Sequence, residues 1–334
     1  MAWLAQILGI HCVTMKHCLV LLLTIVVLFL GTDDSLAVKR CLNIKVIVPY
    51  AVGTGTDLVF RAYTETINRQ SSGALIKVLN KTHKTVIEEN MKNRPDGCQF
   101  LAVTQSLIAD FLMSKTSLEW SSFAPVAMLT RTPLAVVARG DMKDANLPNL
   151  IENALGKPAT IRIGETENSL QRAFRMQIED VSGVSFDVTT FENARQTLLA
   201  LLGSKLDLGM VSVSAAKRRS DLKQLRILAL TDILENSKLA EIPSLQEQGI
   251  DLSFGVDRIL LGPQNTSNDI VLKMSERFKK AAEDPELTDR LGKINTKPLY
   301  LDPDELTRYF ENLTADWTEM MARLANESHN KKSP

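Results

Sequence analysis

The chain has 334 residues, with 39 basic side chains balanced by 39 acidic ones, and 45% of its residues are hydrophobic. That length can bury two cores, so two domains are expected. The charge balance argues against nucleic acid or an anionic membrane surface as partner.

At the amino terminus, Met15-Lys16-His17 precedes an apolar run over residues 19–30. The run is about a dozen residues, short of the roughly 20 needed to span a bilayer. Ser35 and Ala37 follow with the spacing of a small-residue cleavage site, so residues 1–37 read as a secretory signal cut after Ala37. An uncleaved anchor is the competing reading. Export would place the remainder in an oxidising compartment, where Cys41 and Cys98, the two cysteines beyond the signal, form a candidate pair.

The first element of the mature chain organises the others. The apolar β-branched run Val46-Ile47-Val48 stops at Pro49-Tyr50 and crosses a loop containing Gly53, Thr54 and Gly55. It restarts at Thr56-Asp57 with Leu58, Val59, Ala62, Tyr63 and Ile67 at helical spacing. Glycine allows close backbone approach, Thr56 is a reasonable N-cap, and the free N–H groups of a helix start attract an anion. Ordinary turn punctuation explains the glycines equally well. The loop lacks the Gly-Lys-Ser/Thr of a P-loop and the third glycine of a dinucleotide fingerprint.

Further strands are expected at 75–79, 100–104, 124–129, 134–138, 160–163, 185–189, 208–213, 225–229 and 259–261, after the first at 44–48. Helices are expected at 57–69, 84–93, 168–181, 193–203, 268–283 and 303–325. This alternation is that of an α/β fold with largely parallel sheets. Pro133 and Pro148 bracket a strand and loop, and Gly262-Pro263 marks a second break. Two breaks suit a chain that leaves one domain, builds another and returns.

Catalytic chemistry is sparse. Beyond the signal the histidines are His83, in a basic loop, and His329, in a polar tail. No zinc-ligand cluster and no Gly-x-Ser-x-Gly elbow appears, so no metal, cofactor or catalytic residue is expected. What remains is the outline of an exported two-domain solute receptor.

Several segments resemble one family. Val48-Pro49-Tyr50, Gly53, Thr56-Asp57 and Arg61 fall in register with the opening motif of the solute-binding receptors of tripartite tricarboxylate transporters, the Bug family. Arg94-Pro95-Asp96-Gly97, Phe123-Ala124-Pro125-Val126, Leu206-Asp207, the segment from Leu225 to Thr231, Ile242-Pro243-Ser244 with Glu247 and Gly249, and Asp284-Pro285-Glu286 follow in the family's order. The resemblance implies a periplasmic binding protein of the type II, Venus-flytrap kind: two doubly wound α/β domains with the ligand in the cleft between them. We expect one domain over residues 38–135 and 255–334 and the other over 136–254. It further implies a monomeric periplasmic receptor that captures a small organic carboxylate for membrane permease subunits. In this family the carboxyl groups are held largely by backbone amides, hydroxyls and water. A receptor feeding a sensor protein, and a secreted enzyme with an unrecognised site, are the alternatives.

In open α/β sheets ligands sit beyond the carboxyl ends of strands. The expected binding residues are therefore Tyr50, Gly53, Thr54, Gly55, Thr56 and Asp57 at the first strand, and Thr104, Gln105 and Ser106 at the third. In the other domain they are Thr166, Asn168, Ser169 and Ser212. Asp57, an acceptor, is expected to anchor the loop. The family's second, glycine-rich loop is replaced by Asn80-Lys81-Thr82-His83-Lys84-Thr85, and its Ser-x-Gly-x-Gly-Thr-x-x-His by Gly164-Glu165-Thr166-Glu167-Asn168-Ser169-Leu170-Gln171-Arg172. These departures imply a rebuilt cleft. In a 2-1-3 strand order, Cys41 and Cys98 precede neighbouring parallel strands, which makes a bridge geometrically feasible.

Overall fold

The computed structural model describes residues 41–71, 73–82, 85–107, 119–142, 146–166, 169–233 and 241–330. The expected signal sequence and cleavage site, His83, Lys84 and Asn168 lie outside these residues.

The fold opens with β1 (Asn43–Val48), α1 (Gly55–Gln70), β2 (Leu75–Asn80), α2 (Val86–Met91) and β3 (Gln99–Thr104). β1 lies between β2 and β3 and is parallel to both. Val46, Ile47 and Val48 are fully buried because helices cover both faces of a parallel sheet. α1 turns Val59, Phe60, Tyr63 and Ile67 inward. Phe60 and Tyr63 meet Phe278 at ring-centroid distances of 6.3 Å and 5.8 Å. That packing sets the helix start at the carboxyl end of β1.

β4 (Phe123–Arg139) then runs 17 residues without interruption. Its first part pairs antiparallel with β9 (Gly255–Pro263), through Pro133↔Gly255. From Leu134 onward it pairs with β7 (Leu208–Ser212) and β8 (Leu225–Leu230). Two strands with a break at Pro133 were expected. Proline is tolerated here because it stands where one ladder ends and the next begins, so its missing N–H costs little. Gly262-Pro263 closes β9, a break after the apolar strand as expected.

Between these crossing strands lie α3 (Leu147–Ala154), β5 (Arg162–Thr166), α4 (Leu170–Ser182), β6 (Asp187–Phe191), α5 (Ala194–Leu202) and, directly after β7, α6 (Val213–Asp221). The chain closes with α7 (Asn268–Ala282), α8 (Pro285–Gly292), β10 (Lys297–Leu301) and α9 (Pro303–Asn330). The ladder order is β2-β1-β3-β9-β4-β7-β5-β6, with β8 and β10 also on β4. The sheet is thus mixed: pairs within each half are parallel, while every pairing made by β4 or β9 is antiparallel. A strand that leaves one half and another that returns must run in opposite directions.

Short elements are where expectation and structure part. Pro148, read as a loop marker, occupies the first turn of α3 behind the N-cap Asn146, whose side chain accepts from Asn149 N at 3.2 Å. Ser212 ends β7 and caps α6 in one step, so the strand stops before Val213. α8 and β10 also escaped notice, β10 because its five residues are all half-buried and show no alternation.

Cys41 and Cys98 form a disulfide with a Cα–Cα distance of 5.4 Å, tying the starts of β1 and β3. The bridge spans a sequence separation of 57 residues. Chain entropy puts the stabilisation from a loop of that size at about 4 kcal/mol. Paired Cys41→Ser and Cys98→Ser replacement is therefore expected to lower the unfolding free energy by an amount approaching that value, read from the denaturant midpoint together with its slope, which also reports changes in the unfolded state.

Candidate functional site

The loop between β1 and α1 is held by Asp57. Its Oδ2 accepts from Gly53 N at 2.9 Å, and its Oδ1 accepts from Arg61 Nε at 3.0 Å and Asn80 Nδ2 at 2.8 Å. Asn80 also donates to Tyr50 O and accepts from Arg61 Nη2 at 2.7 Å. Burial pushes the Asp57 carboxyl up, but Arg61, the Gly53 amide and Asn80 outweigh it and hold it below the ordinary carboxylate range. Gly53 sits at φ +82°, a left-handed conformation that glycine adopts without strain.

The helix begins at Gly55, two residues earlier than expected. Thr54 occupies the N-cap position, while Thr56 lies buried inside the first turn. The Thr54 hydroxyl donates to Ala51 O at 2.9 Å and does not cap the helix. Among the described residues no side chain accepts from the first-turn amides, which therefore retain free donors.

At the neighbouring strand end, Tyr50 Oη lies 3.3 Å from Thr104 Oγ1, which is 2.7 Å from Ser106 Oγ. Gln105 is spent on the scaffold: its amide donates to Gly255 O and accepts from Asp257 N, both on β9. Lys81 in the replaced second loop is exposed.

The other half carries a cavity of about 520 Å³. It is bounded by the amino-terminal turns of three helices: Ser169, Leu170 and Gln171 of α4; Ala194, Arg195 and Leu198 of α5; Ser212 and Ala215 of α6. Thr166, Met210 and Val211 supply the strand ends, and Leu134 and Val256 come from the two crossing strands. Thr166, Ser169 and Ser212 were expected here; Arg195, Leu134 and Val256 were not. The Thr166 hydroxyl donates to Gln171 Oε1 at 2.7 Å. Ser169 Oγ donates to Thr166 O at 2.6 Å and accepts from Arg172 N at 3.3 Å. Ser212 Oγ accepts from Ala215 N, leaving its proton available. Glu165, buried next to Thr166, pairs with Arg172 Nε at 2.7 Å and Arg175 Nε at 2.8 Å and takes no part in lining the cavity.

A second cation also went unread. Arg258 on β9 is only 5% exposed. Its Nη1 donates to Thr132 Oγ1 and to Val256 O, and a Cβ at Gly55 would stand 2.5 Å from its Nη2. The available signal was a charged pair, Asp257-Arg258, at the head of the apolar run Ile259-Leu260-Leu261.

Two α/β halves joined by antiparallel crossing strands, with a cavity under the crossing, define a periplasmic binding protein. The sequence profile described as "Tripartite tricarboxylate transporter family receptor" matches residues 59–325, and the chain belongs to that family. A UPF0065 protein of the TAR-I ttuE-ttuC′ intergenic region of Agrobacterium vitis is 20% identical over 85% of this chain and 84% of its own. The fold is similar to that of a TctC solute-binding protein from Polaromonas, with TM-score 0.71 and 24% identity over 84% of this chain and 98% of the other. It is also similar to MatC of Rhodopseudomonas palustris with bound malate, at TM-score 0.61 and 18% identity over 83% and 98% of the two chains. A further R. palustris protein, solved with adipate, gives 0.64 and 19% over 83% and 95%.

The Asp57 network has a pH signature. Because its folded pKa is depressed, its contribution is complete above the unfolded value, about 3.9, and is lost as pH falls through the lower folded value. Asp57→Asn is expected to cost about 1–3 kcal/mol at neutral pH. Thermal unfolding of both proteins from neutral pH downward should show this difference shrinking at the acid end.

Proposed function

We propose that this solute-binding receptor captures a small organic carboxylate in the periplasm and presents it, as a monomer, to the membrane permease subunits of a tripartite tricarboxylate-type transporter. The observation that carries the reading is the cavity bounded by three helix amino termini with Arg195 at its edge. Each terminus attracts an anionic group by about 0.3–1 kcal/mol, and by more where solvent is excluded. Leu134, Leu170, Leu198, Met210, Val211 and Val256 provide apolar surface for a carbon skeleton. The malate and adipate in the solved relatives support a carboxylate as the ligand class. A binding role without catalysis accords with a family of transport receptors.

In this reading one lobe comprises residues 38–135 and 255–334, and the other 136–254. The exchange of β4 partners between Pro133 and Leu134, and the start of β9 at Gly255, support those limits. The ligand is shared between the lobes, with the Tyr50–Asp57 loop and Thr104 and Ser106 on one side, and Thr166, Ser169 and Ser212 on the other.

A thermal-shift panel of di- and tricarboxylates that includes malate and adipate tests this. A ligand at a hundred times its dissociation constant stabilises the native state by about 2.7 kcal/mol. We expect at least one acid to raise the unfolding temperature, and Gly53→Val, which forces a β-branched residue into a left-handed backbone, to abolish that rise. An unchanged response in Gly53→Val would remove the first loop from the site. No response to any acid in the parent protein would remove the carboxylate reading.

A further inference from the structure

We infer that Arg258 is the buried cation that receives a ligand carboxylate at the amino-terminal turn of α1. The inference rests on the carboxylate-receptor reading and names the charged residue that reading lacks in the first lobe.

Successive side chains of a strand point to opposite faces. On one face of β9, Asp257 is fully engaged: Arg131 donates to it through Nε and Nη2 at 2.6 Å and 2.7 Å, and Tyr309 through its hydroxyl at 2.6 Å. Arg258 occupies the other face, with Val256. On the facing stretch of β4, Thr130 pairs with Arg258 and Thr132 with Val256, so Thr132 and Leu134 share that face. Val256 and Leu134 line the cavity, which places Arg258 one strand repeat beyond its wall.

The guanidinium is hydrogen-bonded but its charge is not matched. Nη1 reaches a neutral hydroxyl and a neutral carbonyl, and Nε is buried without a hydrogen-bond partner. Among the described residues no carboxylate forms an ion pair with Arg258, in contrast to Arg131 and Arg175. The carboxylate of Asp57, two residues along the chain from Gly55, is neutralised by Arg61 and bound by Gly53 and Asn80. Burial pushes the Arg258 pKa down to about 10, with Asp257 and Tyr50 offsetting only part of the effect. A buried cation without a counter-ion is costly, and a ligand carboxylate would supply one.

The second observation is where the group points. Nη2 lies against Gly55, the first residue of the 16-residue helix α1, in space that any Cβ would occupy. Unsatisfied first-turn amides and a guanidinium therefore converge on one small region, and together they suit a planar carboxylate. Arg258 would supply direct charge where backbone amides otherwise act alone.

The competing role is a clamp between β4 and β9 through Thr132. Calorimetry with malate and adipate on the parent, Arg258→Met, Arg258→Lys and Lys81→Ala separates the two. We expect the methionine variant to bind the responding acid about 10- to 100-fold more weakly, the scale of one hydrogen-bonded charge. Arg258→Lys should recover part of the loss, because an ammonium restores charge without the two-pronged geometry. Lys81→Ala, which removes an exposed cation near the same loop, should leave affinity unchanged. Parental affinity in both Arg258 variants would overturn the inference while leaving the receptor reading intact. If Arg258→Met does not fold, the lysine variant decides: affinity within about threefold of the parent overturns the inference, since the guanidinium geometry would then carry no binding energy. Failure of the receptor reading itself is seen separately, as no response to either acid in the parent protein, and takes this inference with it.

Discussion

The paired charges of Arg131 and Asp257 join β4 to β9 at the crossing, where the two residues face each other in the ladder. Asp257 has 1% side-chain exposure and Arg131 16%. Burial opposes the arginine charge, but Asp257 outweighs it and the net shift is upward. The pair is built into a wider network: Tyr309 of α9 donates to Asp257, Ser253 accepts from Arg131 Nη1 at 3.1 Å, and Asp232 meets Lys297 Nζ at 2.9 Å. Removing one partner of such a pair costs about 3–5 kcal/mol because the other charge stays buried. Strands of both halves, β10 and the last helix are all referred to this one point, so the geometry of the crossing depends on it.

From that crossing the rest of the binding architecture follows by strand alternation. One face of β4 and β9 is committed to holding the halves together; the other delivers Leu134 and Val256 to the cavity and Arg258 toward α1. The first loop is rigid for a separate reason, since its aspartate saturates itself on Gly53, Arg61 and Asn80. With Gly53 N given to Asp57 and Thr54 N to Ala51 O, the first-turn amides of α1, not the loop's carboxylate, are the groups with capacity to spare. On the opposite side the strand-end hydroxyl of Thr166 and the N-cap hydroxyl of Ser169 are largely spent on local bonds, and the helix termini themselves carry the attraction for an anion.

The long or strongly patterned elements were legible in the sequence. β1, β3, α1, α4, α7 and α9 show apolar residues at strand or helix spacing, and their cores are buried as that spacing requires. The 2-1-3 order taken as the condition for a bridge is the one observed, and the cysteines at the starts of β1 and β3 lie within bridging distance. Pro133 misled because proline is a breaker only where its N–H is needed, and whether it is needed depends on a partner strand distant in sequence. Thr56 misled because hydroxyl residues stand at both 54 and 56, and which becomes the N-cap is decided by how the loop closes on Asp57.

The α/β class, the family pattern and the polar strand-end runs at Tyr50–Asp57, Thr104–Ser106, Thr166–Ser169 and Ser212 can be read from the amino-acid sequence, because these depend on short-range periodicity and turn chemistry. The sequence by itself could not determine what fills those runs' hydrogen bonds. Gln105 lies in a polar run that looks available, yet its partners are the backbone of β9, 150 residues away. Arg195 carries no local signal of function, and Arg258 only its place in a charged pair at the head of an apolar run; folding brings one to the edge of the cavity and buries the other beside Gly55, where among the described residues no carboxylate pairs with it. Charge becomes informative when its surroundings are known, because burial and pairing belong to the tertiary structure and not to the residue.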